Sequence, residues 1–511
     1  MSENQNLFAL LENRFAEAGE QIAIEDDNRQ ITLSYADLLD RSGQYANALL
    51  SLGVAPGDRV TVQTDKSLES VFLYLGTLRA GAVYQPLNTA YTGAEVEYFI
   101  SDAEPKVVVC RPQGEEQITA LTKDRGASVV TLGNDGTGSL AELAQSQNTA
   151  FVTVERAGDD LAGLLYTSGT TGRSKGAMLT HDNLASNAVT LHRYWGFVPG
   201  DVLLHALPVF HVHGLFVALN IAFLNMSRII WHDRFDAARV IADLPRASVL
   251  MGVPTFYVRM LGQPDFGREQ CAGMRLFIAG SAPLLAGTHT QFAECTGHKI
   301  LERYGMTETG MITSNPYDGE RIAGTVGYAL PGINVRIADD DGNEVPRGEV
   351  GVIEVKGPNV FAGYWRMPEK TTEEFRHDGY FITGDMALMA EDGRIMISGR
   401  AKDLIISGGF NVYPKEIELV LDEYDAIGES AVIGVPHPDF GEGVVAVVTP
   451  GSSDAFDEAA ICTDLAGRLA KFKVPKRIFM TDVLPRNAMG KVQKAELRAK
   501  FQDCFTAAKP M

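Results

Sequence analysis

From Leu164 to Gly176 the chain reads Leu-Leu-Tyr-Thr-Ser-Gly-Thr-Thr-Gly-Arg-Ser-Lys-Gly. Thr167, Ser168, Thr170 and Thr171 supply hydroxyl donors. Gly169 and Gly172 let the backbone approach an anion with its amides turned inward, and Lys175 adds a mobile positive charge. This is chemistry for a polyphosphate. It is not a Walker A loop, which needs Lys directly after Gly and then Ser or Thr; here Ser174 precedes Lys175 and Gly176 follows it. Further on, Leu301 to Thr309 joins an aromatic face (Tyr304), a hydroxyl (Thr307) and a carboxylate (Glu308). Gly379 to Asp385 presents an aspartate after a strand, Gly399-Arg400 a guanidinium, and Pro485 to Lys491 a turn-rich loop with one lysine at its tip. Alone, Asp385 would read as a turn residue and Glu308 as a helix-start acid.

These groups need elements that bring them to one place. Leu161 to Tyr166 reads as a strand entering the first loop, and Thr180 as the N-cap of a helix starting near His181. Upstream, a helix from Tyr35 through Leu50, a strand at Arg59–Val62, a helix from Ser67 to Ala80, and strands at Ala82–Leu87 and Lys106–Cys110 alternate. Such alternation predicts a mostly parallel sheet with helices on both faces. Residues 111–160 are polar and read as surface elements. Downstream, the strands Val202–Ala206, Val249–Val253 and Leu276–Ala279 each end in a loop, and ligands in open α/β sheets gather at such carboxyl ends. Gly214 to Leu224 reads as one buried helix, too short to cross a bilayer.

From Gly324 to Asp385, short strands with Gly and Pro turns predict a compact β subdomain. A boundary near Gly399–Asp403 divides the chain into domains 1–400 and 401–511. The expected fold is α/β: a large N-terminal domain of mixed, mostly parallel sheets with helices plus the β subdomain, and a small mobile α+β C-terminal domain.

Composition narrows the class. A chain of 511 residues exceeds one ordinary core. Hydrophobic content of 45%, charged content of 22% and 51 glycines fit a loop-rich α/β enzyme. A net charge of −20 argues against nucleic-acid or anionic-membrane partners. The basic residues crowded from Lys471 to Lys500 read as a solvated face, apart from Lys491 on its loop. Cys110, Cys271, Cys295, Cys462 and Cys504 show no paired spacing, so neither disulfides nor a zinc site is expected, and a reducing, cytoplasmic setting is. Met1 to Leu10 carries no signal-peptide pattern.

The phosphate-loop stretch, Tyr304-Gly305-Met306-Thr307-Glu308, Thr383-Gly384-Asp385, Gly399-Arg400 and Gly490-Lys491 follow one another along the chain. In content and order they resemble the acyl-adenylate-forming family, which includes acyl-CoA synthetases, luciferases and peptide-synthetase adenylation domains. The resemblance implies ATP and coenzyme A as co-substrates with Mg²⁺. It places Thr167, Ser168, Gly169, Thr170, Thr171 and Lys175 on the phosphates, Tyr304 at the adenine, Thr307 on the α-phosphate, and Ala282 among the ATP-binding residues. Asp385 would take the ribose hydroxyls, Arg400 the ribose or phosphates, and Glu308 the metal. Lys491 would bridge the acyl carboxylate and the α-phosphate. His211 matches the gate beside the acyl pocket and Lys402 the domain hinge. Ser407, Gly408 and Gly409 would line the pantetheine tunnel. The exposed Gly490-Lys491 tip is also expected to admit a lysine acetyltransferase, which would remove the charge.

Arg259 and Ser281 lie where that family places its acyl pocket. A guanidinium there suits a second carboxylate, and the pair resembles the malonate-binding pattern of malonyl-CoA synthetases. The expected reaction makes malonyl-CoA, AMP and diphosphate from malonate, ATP and CoA, with methylmalonate left open. Another short or medium-chain acid, loading of a carrier protein, a luciferase-type oxygenase and a nucleotide sensor stay as alternatives.

Overall fold

The computed structural model describes residues 4–167, 174–407, 410–453, 456–487 and 490–505. Among these residues the chain forms four sheets. In the first, the strands Ser128–Thr131, Val107–Cys110, Arg59–Gln63, Val83–Pro86 and Leu161–Thr167 lie side by side and parallel. Lys175–Thr180 closes the edge antiparallel to Leu161–Thr167. Lys175 is therefore the first residue of the strand that runs back antiparallel beside Leu161–Thr167. Ser128–Thr131 corrects the reading of 111–160 as surface: Val129 and Val130 extend the sheet beside Val107–Cys110. Two valines among polar neighbours are too short a pattern to read as a strand from sequence.

The second sheet carries the site. Its parallel core runs in the order Leu301–Met306, Leu276–Ala279, Val249–Gly252, Val202–His205, Arg228–Trp231 and Ile22–Asp26. Antiparallel strands flank both edges. The buried Trp195, Trp231, Tyr257, Phe277 and Phe292 belong to one apolar cluster with residues of both sheets. Thr180 caps the helix His181–Tyr194 through a reciprocal capping box with Asn183, as the sequence predicts. The apolar run expected as one helix is a π-helical segment, His213–Leu219, continued by Asn220–Leu224 in α geometry.

The β subdomain is a four-stranded antiparallel sheet of Asn334–Ala338, Val350–Lys356, Phe381–Met389 and Ile395–Arg400. Here the expectation for Asp385 needs correcting. It does not follow a strand but sits in the middle of Phe381–Met389, directly paired with Arg400 on the next strand. The strand runs on because Met386, Ala387 and Met389 are buried beyond it.

After Ile405 the chain builds its own core. Gly441–Pro450 is the central strand of the last sheet, pairing with Ile427–His437, Ile405–Ser407 and Arg477–Met480, and the helices Pro414–Leu421 and Lys494–Phe501 pack on Ile427–His437. No residue before Ile405 contributes to its two apolar clusters. No helix among the described residues is long and apolar enough to cross a membrane.

Candidate active site

Four neighbouring parallel strands end side by side and deliver the site. Leu301–Met306 leads to Thr307 and Glu308, Leu276–Ala279 to Gly280, Ser281 and Ala282, Val249–Gly252 to Thr255, and Val202–His205 to His211 and His213. The strand Leu161–Thr167 ends in Thr167, whose Oγ1 donates to Glu308 Oε1 at 3.2 Å. From the C-terminal domain, Gly490 comes over the start of the helix Pro254–Leu261: a Cβ on it would lie 3.4 Å from Thr255 Cγ2. Lys491 thereby enters the electrostatic reach of Arg400, Asp385, Glu308 and Arg303. It lies deep between the two domains, yet its side chain stays open to the cleft. Burial first, and then Arg400, lowers its pKa.

Tyr304 Oη donates to Asp385 Oδ2 at 2.5 Å, and Arg400 Nε pairs with Asp385 Oδ1 at 2.7 Å. The Tyr364 hydroxyl is shared between Glu374 Oε2 at 2.6 Å and Glu308 Oε1 at 3.2 Å. Lys175 Nζ is paired with Glu374 at 2.8 Å and sits 4.0 Å over the Tyr364 ring. Thr307 and Ala282 are half-buried beside this group. Glu308 is only 4% exposed, has no cation in ion-pair reach among the described residues, and burial pushes its pKa up. A buried carboxylate lacking a cation suits Mg²⁺, which takes one or two carboxylates with substrate phosphates rather than an all-protein cage. The described residues hold no cluster of three or more side chains able to make such a cage. Ser168, Gly169, Thr170 and Thr171 lie outside the described residues, as do Gly408 and Gly409; Ser407 is buried at the end of its strand.

Near His211 and His213 the structure brings in a charged group that sequence reasoning missed. Arg303 is 3% exposed, and its Nε and Nη2 make no hydrogen bond. His211, His213, Tyr257 and Lys491 all lie within its electrostatic reach. Burial without an acceptor makes its charge costly and pulls its pKa down. A charged residue inside the buried strand Leu301–Met306 was the available signal, because such residues are seldom buried unless paired. Ser281 adopts a left-handed backbone at φ 70°, a conformation that clusters at functional sites, and its Oγ lies 3.3 Å from His213 Nδ1. His213 Nε2 is buried without a partner. Burial, Lys491 and Arg303 together push His211 down to about 3, and burial with Arg303 lowers His213 well below its ordinary value, so both imidazoles are neutral.

Arg259 lies one turn beyond Thr255 on the same helix and is exposed, with no hydrogen bond or ion pair of its own among the described residues. Lys402 is also exposed and occupies a short turn between two anchors. Arg400 on one side is held to Asp385, and Asp403 on the other pairs with Arg498 of the last helix at 2.5 Å.

The chain matches the AMP-binding enzyme family over residues 11–365 and the AMP-binding enzyme C-terminal domain over residues 416–491. It is 56% identical to MatB from Rhodopseudomonas palustris, with 98% of this chain and 100% of that one covered. The TM-score is 0.96 against ATP-bound MatB and 0.86 against the apo form. The mitochondrial malonate–CoA ligase of Mus musculus is 35% identical over 94% of this chain and 88% of its own length. A feruloyl-CoA synthase of Amycolatopsis is also 35% identical, over 92% of this chain and 94% of its own. Identity at that level does not single out the acid.

Proposed function

The chain belongs to the AMP-binding enzyme family, and from that premise we propose that it is an ATP-dependent, AMP-forming ligase joining malonate to coenzyme A. The observation that carries the choice of acid is Arg303, a buried guanidinium without an acceptor, set against Ser281, His211 and His213. Two neutral imidazoles and one unpaired cation favour a dianion that brings one carboxylate to the guanidinium and one to Lys491. Arg259 assists from the exposed mouth of the pocket.

In the first step a carboxylate oxygen of malonate attacks the α-phosphorus of ATP. Diphosphate leaves and malonyl-AMP forms. Lys491 lies between the acyl and nucleotide groups and stabilises negative charge that grows on both. Thr307 donates to the α-phosphate, Tyr304 lies along the adenine, and Asp385 and Arg400 hold the ribose. Lys175 leaves Glu374 for the phosphates, joined there by Thr167, Ser168, Gly169, Thr170 and Thr171. Glu308 would hold Mg²⁺, which when bound would offset phosphate charge. In the second step the CoA sulfur attacks the acyl carbon, AMP departs with the anhydride oxygen, and the thiol proton is released. The C-terminal domain turns about Lys402 between the steps, bringing Ser407, Gly408 and Gly409 to the pantetheine. Five free thiols fit a reducing, cytoplasmic setting.

The test is a substrate panel with ATP, Mg²⁺ and CoA, scored for AMP and thioester. Malonate should lead. Acetate should trail by about 30-fold to several thousand-fold, the scale of losing a charge-assisted pair. Succinate should trail because its far carboxylate overshoots the guanidinium, whereas methylmalonate keeps both charges in place. A preference for acetate, butyrate or ferulate overturns the assignment, and thioester formation only on an added carrier protein would redirect it.

A further inference from the structure

Lys66 lies between the strand Arg59–Gln63 and the helix Leu68–Arg79, on the lobe opposite the acyl pocket's own sheet. Its Nζ crosses to the second sheet and meets three acceptors: His205 Nδ1 at 2.8 Å, His205 O at 2.9 Å and His232 O at 2.5 Å. It also sits 4.2 Å over the Trp231 ring. His205 is 1% exposed and stacks on the same indole, with ring centroids 5.2 Å apart and planes 6° from parallel. Its other nitrogen, Nε2, lies 2.9 Å from the carbonyl of Gly214.

The hydrogens follow from these partners. A carbonyl only accepts, so Nε2 carries a proton. Burial and the neighbouring Lys66 hold the ring neutral, which leaves Nδ1 as the acceptor and Lys66 as its donor. His205 ends its strand and Gly214 stands in the first turn of the π-helical segment His213–Leu219, so the two bracket the loop that carries His211 and leads into His213. That loop is tightly closed: a Cβ at Gly214 would stand 2.1 Å from Pro208 O. A π-helical segment, a form frequent at functional sites, begins at its exit.

We propose that Lys66 is a positioning residue for the acyl pocket. By donating to Nδ1 it fixes His205 as the Nε2–H tautomer, whose bond to Gly214 clips the ends of the loop presenting His211 and His213. This rests on the reading of that pocket as the malonate site.

Three variants separate the clip from simple packing. His205→Gln keeps an amide N–H where Nε2–H stands. His205→Asn keeps an acceptor for Lys66 but loses the clip. Lys66→Met fills the same space without a donor. Steady-state kinetics should show malonate KM raised roughly tenfold in Lys66→Met and His205→Asn, with KM for ATP unchanged. His205→Gln should stay within about threefold of wild type. In ¹⁵N-histidine-labelled enzyme, His205 should report the Nε2–H tautomer, and Lys66→Met should mix it with the other. An unchanged malonate KM in Lys66→Met, equal damage in all three variants, or a parallel rise in KM for ATP overturns the proposal. If wild-type enzyme does not turn over malonate, the substrate reading falls, and the His205 tautomer with and without Lys66 still decides whether the clip exists.

Discussion

The guanidinium of Arg303 lies so close to Gly280 that a Cβ at position 280 would come within 2.5 Å of its central carbon. A side chain at position 280 would have to displace the guanidinium or the loop. The close contact ties the loop bearing Ser281 to the charge on the next strand. Gly280→Ala must push the guanidinium away or lift the loop, and either motion spoils the pocket. Malonate kcat/KM should fall at least tenfold while KM for ATP holds, as initial rates with each substrate varied would reveal.

Arg303→Met should separate function from stability. The arginine is a buried cation with two unused donors, so replacing it with an apolar side chain removes a desolvation cost. Malonate turnover should drop by about 30-fold or more, whereas the melting temperature should stay level or rise. Arg259→Leu, at an exposed position, should lose less turnover. A melting temperature that collapses in Arg303→Met would show instead that the arginine holds the fold.

Lys491 follows Gly490, which lies over Thr255, and comes within electrostatic reach of Arg400, Asp385 and Glu308. Lys491→Ala should abolish formation of malonyl-AMP and spare thioester formation from malonyl-AMP supplied in the assay. Acetylation at Lys491 removes the same charge and should reproduce the same split. Normal diphosphate release by Lys491→Ala sinks this assignment.

The turn at Lys402 lies between the Arg400–Asp385 and Asp403–Arg498 pairs. Lys402→Pro fixes φ at that turn. Adenylation should survive and CoA-dependent release of AMP should slow, which single-turnover experiments resolve. Equal loss of both steps counts against a hinge here.

Glu302 makes stability depend on pH. It is 7% exposed, its carboxylate receives one hydrogen bond, from Gly324 N at 3.3 Å, and burial raises its pKa from 4.5 to about 8. Between those values the folded chain keeps a proton that the unfolded chain loses. Its contribution is therefore full below about 4.5 and disappears as pH rises through about 8. The slope across that window is at most about 1.4 kcal/mol per pH unit. Glu302→Gln should flatten this part of the profile and melt higher than wild type above pH 8, in paired thermal melts from pH 5 to 9.

The sequence by itself carried the order of the chemical signatures, the strands that lead to them and the cap at Thr180. These are local facts: side-chain types at fixed offsets, apolar periodicity and turn residues act within a few positions of one another. Other facts needed distant segments brought together. Asp385 faces Arg400 because two strands pair in one register. Lys175 rests on Glu374 because the strand it opens lies against a segment 199 residues further along the chain. Arg303 rather than Arg259 is the interior cation because burial depends on which strand lies next to which helix, and periodicity in one stretch of sequence cannot encode what another stretch covers.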